Sequence, residues 1–269
     1  MVRELVLGLT LTTTLGLGAP RVVEAREAAG ADGNSRVWIG HQEDFEEYLR
    51  TAPIERLEDV GQGVTKPERA FFIPGGPAAS AIVKILPRKR QKGFWESYQS
   101  EVAAYELDRL LGLDMVPVTV ERRIKGDRAS VQLWIENIRL LSEVGSEFPP
   151  RPLEWARQIR RQRLFDALIA NIDRNRGNLA VDEDWNLILI DHSRAFIEKK
   201  TPFLDKITAV DRSFYETVKG LDEATLNERL KPWLFGKGSV KDLLKRRDKI
   251  VEKLERLAAE RGEAAVFPP

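Results

Sequence analysis

Residues 164–196 read LFDALIANIDRNRGNLAVDEDWNLILIDHSRAF, and the rest of the chain is best understood from this stretch outward. Apolar residues at Leu164, Phe165, Leu168 and Ile169 recur at helical spacing, so it opens as an amphipathic helix. It turns polar at Asp173-Arg174-Asn175-Arg176-Gly177-Asn178. Leu179-Ala180-Val181 is a short apolar strand, and Asp182-Glu183-Asp184 is a turn. Leu187–Ile190 is a second apolar strand that stops abruptly at Asp191. A helix, a polar loop, a hairpin and a carboxylate at a strand end deliver Asp173, Asn178 and Asp191 to one place.

The chemistry of those three side chains is coherent. A loop carboxylate such as Asp173 can orient a hydroxyl and accept its proton. Asn178 and Asp191 offer oxygen donors of the kind Mg²⁺ takes when phosphates and waters supply its remaining ligands. Taken singly, each residue is also what an ordinary turn or strand end uses, because Asx side chains bond their own backbone. Their order along the chain is what points to chemistry.

The upstream half reads as sheet. Leu57–Val60 is a strand that runs into Gly61-Gln62-Gly63-Val64-Thr65-Lys66-Pro67. Ala70–Ile73 and the β-branched run Ser80–Leu86 are further strands, separated by the turn Pro74-Gly75-Gly76-Pro77. A single Gly-X-Gly is common in hairpins and carries little alone. Lys84, flanked by Val83 and Ile85, is either a solvated edge residue or a cation aimed at phosphates beneath the glycine loop. Lys66 would add a second positive charge there. Phe94–Leu111 has helical periodicity, with Gly112 as its stop. Glu101 within it is either one more solvated charge or the partner of Lys84. Met115–Arg122 and Ala129–Ile135 form a hairpin around Lys125-Gly126-Asp127, and the polar stretch that follows reads as a linker between lobes.

The flanks are plainer. Val37–Arg50 reads as a short strand or turn and then a helix with Phe45, Tyr48 and Leu49 on one face; His41 is a surface or capping residue. From Leu153 the pattern is helical, and Arg157, Arg160, Arg161 and Arg163 read as its solvated side in preference to a phosphate-facing one. Asp205–Gly220 and Leu221–Leu234 read as two helices, and Ser239 as the N-cap of a long amphipathic helix over Val240–Arg261.

Composition bounds the function. Of 269 residues 42% are hydrophobic, and Lys+Arg of 43 against Asp+Glu of 42 gives a net charge of +1. Mean hydropathy is −0.34, ordinary for a globular chain. That balance argues against a general nucleic-acid binder. With no cysteine, thiolate zinc sites, disulfides and cysteine nucleophiles are excluded, and two histidines are too few for a His-rich metal site. Residues 1–25 read as a secretory signal: Arg3, an apolar Leu5–Ala19 run, and Val23-Glu24-Ala25 before a cut after Ala25. The run is too short and too rich in Gly and Thr to favour a membrane span. Export to the periplasm or medium is therefore expected if this signal operates, and a cytoplasmic protein otherwise. Residues 26–35 read as a linker.

Taken together, the chain resembles the atypical protein-kinase-like fold of the phosphatidylinositol 3/4-kinase-like superfamily. Within it, the likeness is to the bacterial and secretory-pathway branch related to the Golgi casein kinases. It covers roughly residues 55–197. Residues 61–67 look like the phosphate-covering loop and Lys84 like the nucleotide-binding lysine. Ser100–Tyr105 looks like the first large helix, with Glu101 the ion-pair partner. Asn171-Ile172-Asp173-Arg174 with Asn178 looks like the catalytic loop, and Ile190-Asp191-His192 like the metal-binding segment. The family's loop usually has His after Asp-Arg, where this chain has Asn175, and no glycine follows Asp191.

The resemblance implies an α+β, two-lobed kinase-like fold, with a β-rich N-lobe over 36–138 and a mainly helical C-lobe over 139–269. It implies ATP with Mg²⁺ or Mn²⁺, and transfer of phosphate to a hydroxyl of a protein, lipid or small molecule. Asp173 would be the base, Asn178 and Asp191 the metal ligands, and Gly61, Gly63, Lys66, Lys84 and Glu101 the nucleotide-binding set. A monomer without nucleic-acid partners or a membrane span is expected. The alternative is a non-catalytic nucleotide-binding pseudokinase that regulates a partner.

Overall fold

The computed structural model describes residues 35–61, 66–87, 89–91, 94–197, 201–234 and 239–268. The expected signal segment, nearly all of the linker after it, and Gly63 lie outside the described residues.

The N-terminal part is a sheet with helices packed on it. Helix α1 (Gln42–Thr51) buries Phe45 and Leu49 beside Trp38. Strands β1 (Ile54–Asp59), β2 (Glu68–Phe72) and β3 (Ser80–Lys84) follow. A short hairpin of β4 (Lys89–Gln91) and β5 (Phe94–Glu96) leads to helix α2 (Tyr98–Leu111). Strands β6 (Thr119–Ile124) and β7 (Asp127–Leu133) complete a five-stranded antiparallel sheet of order β1-β2-β3-β7-β6. Strand β3 is therefore central, and Lys84 pairs in register with Ser130. This removes the solvated-edge reading of that lysine.

Two local expectations for this half are corrected. The helix expected from Phe94 starts at Tyr98, because Phe94–Glu96 pairs with Lys89–Gln91. Ser97, at φ −158°, takes the N-cap and accepts the Gln99 N–H at 3.1 Å. Trp95, inside the range read as helix, stands 47% exposed on the strand. The far end is as expected: Gly112 adopts φ +57° and donates to the Arg109 carbonyl, a left-handed cap that costs glycine little.

The C-terminal part is mainly helical. Strand β8 (Arg139–Leu140), inside the stretch read as a linker, pairs with β9 (Leu179–Val181), which also pairs with β10 (Leu187–Leu189). Helix α3 (Pro152–Leu168) precedes this small sheet in sequence apart from β8, and α4 (Arg212–Lys219), α5 (Glu223–Leu230), α6 (Val240–Arg261) and α7 (Glu263–Val266) close the chain. Ser239 caps α6 as expected. The helix expected from Asp205 begins only at Arg212, after a 3₁₀ turn at Leu204–Lys206. Asp211 is its cap, accepting from Phe214 N–H. Arg161, expected in solvent, forms a two-pronged bond to the buried Asp211 at 2.6 and 2.7 Å. One hydrophobic cluster runs through both parts, from Phe45 and Val131 to Leu164, Leu187 and Ile250.

Candidate active site

The end of α3 sets up the polar loop. Leu164, Phe165, Leu168 and Ile169 are fully buried, which anchors the helix. Ala170 then turns the chain at φ +53°. The wholly buried Asn171 donates its side-chain amide to Asp166 (3.1 Å) and accepts the Asp173 N–H (3.2 Å). This holds Asp173 at the surface of the loop, with its side chain 36% exposed. Asn175 starts a 3₁₀ turn over Arg176–Asn178 by accepting the Gly177 N–H at 2.8 Å. Asn178 closes the loop by donating its amide to the Asp173 carbonyl at 2.9 Å, leaving its side-chain oxygen available.

Arg174 fastens this loop to the segment after β10. Its guanidinium bonds Asp166 (3.0–3.2 Å), donates to the carbonyls of Asn178 (2.5 Å) and Ile190 (2.8 Å), and donates to His192 Nε2 (2.8 Å). His192 is completely buried, and burial beside the Arg174 charge holds it well below the ordinary histidine value. It is therefore neutral, with its proton on Nδ1, because Nε2 accepts. Asp191 sits just before it at φ +56°, next to Asn178, whose carbonyl accepts the Ile190 N–H at 3.2 Å.

Lys84 meets two carboxylates. Its ammonium lies 2.5 Å from Glu101 Oε1 and 2.8 Å from Asp191 Oδ1. Burial alone would pull Lys84 down, but the two carboxylates outweigh it and raise it above the usual lysine value. Burial likewise opposes ionisation of Asp191, yet Lys84 and the Ser193 hydroxyl (3.1 Å) hold its carboxyl well below the usual range. Burial pushes Glu101 the other way, upward, against the pull of Lys84 and the His192 N–H. That N–H donates to Glu101 Oε2 at 2.9 Å. Further bonds tie α2 to the same segment: Ser97 N–H to the Ser193 carbonyl (2.9 Å) and Ser100 Oγ to the Ala195 carbonyl (2.8 Å).

Five of the residues singled out in the sequence thus converge: Lys84, Glu101, Asp173, Asn178 and Asp191. Gly61 lies two residues past the end of β1 at φ +69°, its N–H on Asp59 Oδ1 at 2.8 Å, and the Val60 N–H donates to the Pro67 carbonyl at 3.1 Å. Lys66 is exposed at φ +49°, with no ion pair to the cluster among the described residues. The sequence reading missed three residues. Arg174 was quoted only as part of a motif. Arg194, three places after Asp191, pairs Nη1 with Asp173 Oδ2 at 2.9 Å and Nε with Glu96 Oε1 at 2.8 Å. Glu96 was assigned to the helix, so its role could not be read.

No protein-family model and no curated protein matches the chain by sequence. Solved structures do match it. The Golgi casein kinase with Mn/ADP bound superposes with a TM-score of 0.62 at 16% identity, over 84% of this chain and 78% of that one. Hydra Fam20, solved with sugar, gives 0.62 and 16% over 84% and 92%. The Helicobacter pylori proinflammatory kinase CtkA gives 0.55 and 13% over 79% and 98%. At these identities the likeness is one of fold, and it shows that the chain has an atypical kinase-like fold with a sheet-based N-lobe and a mainly helical C-lobe.

Proposed function

We propose that the protein is an ATP- and Mg²⁺-dependent phosphotransferase acting on a hydroxyl. The observation that carries this is the Lys84 ammonium, 2.5 Å from Glu101 and 2.8 Å from Asp191, beside a loop that holds Asp173 and Asn178. In kinases such a lysine neutralises nucleotide phosphates while a glutamate orients it, and an aspartate and an asparagine hold the metal. Asp173 is the base that aligns and deprotonates the acceptor. We also read the chain as belonging to the phosphatidylinositol 3/4-kinase-like superfamily, on residues 61–67, Lys84, Glu101, Asp173, Asn178 and Asp191.

The donor set fits a magnesium ion. Among the described residues no group of three or more His, Cys, Asp or Glu could hold a metal by itself. One carboxylate and one amide oxygen suit Mg²⁺, which keeps phosphates and waters as its other ligands. Asp191 Oδ1 is shared by Lys84 and Ser193, so Oδ2 is the oxygen left for the ion. A metal held by Asn178 and Asp191 would supply positive charge against the negative charge that develops during transfer. Mn and ADP in the matched Golgi casein kinase support a divalent metal with a nucleotide. Pairing of β8 with β9 supports a lobe boundary near residue 138. The apolar Leu5–Ala19 run supports export.

The test is a thermal-shift titration. Mg·ATP should raise Tm by mass action on the folded state, and Lys84→Ala should abolish most of the shift. A wild-type protein unmoved by saturating ATP with Mg²⁺ or Mn²⁺ would remove the nucleotide-binding basis of the proposal.

A further inference from the structure

We propose that Arg194, anchored on the buried Glu96, is a positioning residue that aims the Asp173 carboxylate. The role deepens the phosphotransferase reading and rests on it. Asp173 stands on a loop with its side chain 36% exposed, so nothing but a specific partner fixes its rotamer. Arg194 takes Oδ2 at 2.9 Å. Among the described residues Oδ1 has no hydrogen-bond partner and is left to meet an acceptor hydroxyl. In transfer, the acceptor oxygen bonds the γ-phosphorus as the bond to the ADP bridging oxygen breaks. ADP leaves with that electron pair, and the hydroxyl proton passes to Oδ1 and then to water. A carboxylate swung away by an ångström loses that alignment.

The guanidinium is itself held. Its Nε donates to Glu96 Oε1 at 2.8 Å, and Glu96 is 1% exposed. The other Glu96 oxygen is buried without a hydrogen-bond partner. Half-satisfied burial of a carboxylate costs stability, so packing alone explains this glutamate poorly. Its position explains it better. Glu96 immediately precedes Ser97, the cap of α2, and α2 carries Glu101. Glu96, Arg194 and Asp173 therefore form a chain from the start of α2, through the segment after Asp191, to the loop. Any shift of α2 that parts Glu101 from Lys84 also drags the anchor of the base. Arginine suits the task because its planar fork engages two carboxylates at fixed angles, which a lysine ammonium does not.

The experiment measures phosphate release from Mg·ATP, with ATP binding by thermal shift, for wild type, Arg194→Met, Arg194→Lys, Arg194→Ala and Glu96→Gln. Arg194→Met should lower kcat ~10²-fold, the scale of a misplaced catalytic group, with KM for ATP and the ATP-induced shift within ~2-fold of wild type. Arg194→Lys should not restore kcat. Millimolar guanidinium ion should partly restore Arg194→Ala, whereas ammonium should not; a merely structural arginine would show no such rescue. Glu96→Gln should lower kcat in the same direction by less. An active wild type with Arg194→Met turnover within ~2-fold of it would overturn the role and leave the kinase reading standing. No turnover in wild type would remove both.

Discussion

Replacing Lys84 by methionine isolates the buried charge cluster. The lysine side chain is 10% exposed and that of Glu101 2%, and two short ion pairs meet at one ammonium. Lys84→Met keeps most of the volume but leaves two carboxylates facing each other with no cation. Removing one partner of a buried pair costs about 3–5 kcal/mol, so Tm should fall by roughly 10 °C for a chain of this size. Lys84→Met/Glu101→Gln should recover about 2 kcal/mol or more of that loss, because the uncompensated charge leaves with its partner. The pH dependence has a fixed sign. Burial already pushes Glu101 upward, and without Lys84 nothing comparable opposes it. A carboxyl whose folded value exceeds its unfolded value, about 4.3, destabilises the fold as pH rises above that unfolded value. The deficit of Lys84→Met should therefore be smaller at pH 5 than at pH 7. Urea unfolding followed by tryptophan fluorescence, with six tryptophans in the chain, gives these free energies. A single variant as stable as wild type, or a double variant equal to the sum of the singles, would refute the coupled cluster.

Asp211→Ala should lose about 2–3 kcal/mol, as it removes both the cap of α4 and the two-pronged Arg161 bond. Burial opposes the Asp211 charge, but bonds from Arg161 and Ser213 hold its carboxyl below the usual range, so this contribution is present above pH ~4 and lost on acidification; urea midpoints of both proteins should converge in acid. Gly112→Ala should cost about 1 kcal/mol in the same assay, since φ +57° strains an L side chain although a Cβ there meets no atom within 4 Å; an unchanged midpoint would mean the cap relaxes freely.

The fold and most of the site were legible where one local pattern carried them. Helical spacing at Leu164, Phe165, Leu168 and Ile169, followed by a polar loop and two short apolar runs, gave the order helix, loop, hairpin. The family order of Lys84, Glu101, Asp173, Asn178 and Asp191 then named residues that do converge. The Phe94–Glu96 strand was not legible, because Trp95 and Tyr98 also satisfy helical periodicity, and only pairing with Lys89–Gln91 decides between them. Strand β8 is two residues long and exists through its pairing with β9, so no window of its own sequence marks it. Arg161 was placed in solvent by its charge, whereas its partner Asp211 lies 50 residues away. Arg194 escaped notice for the same reason: its importance lies in Glu96 and Asp173, 98 and 21 positions earlier. Long arginine side chains act at a distance that local patterns do not encode.

The central claim is transfer of phosphate by Asp173 from a nucleotide held at Lys84 and Asp191. The direct measurement is Mg·ATP turnover, by phosphate release and autophosphorylation, for wild type, Asp173→Asn and Asp191→Asn, beside ATP-binding titrations of all three. A phosphotransferase requires turnover to fall ~10²-fold or more in Asp173→Asn while Mg·ATP affinity stays near wild type, and both to fall in Asp191→Asn. Wild-type turnover equal to that of Asp173→Asn, with ATP binding intact in both, would contradict the claim and leave a nucleotide-binding regulator without transfer activity.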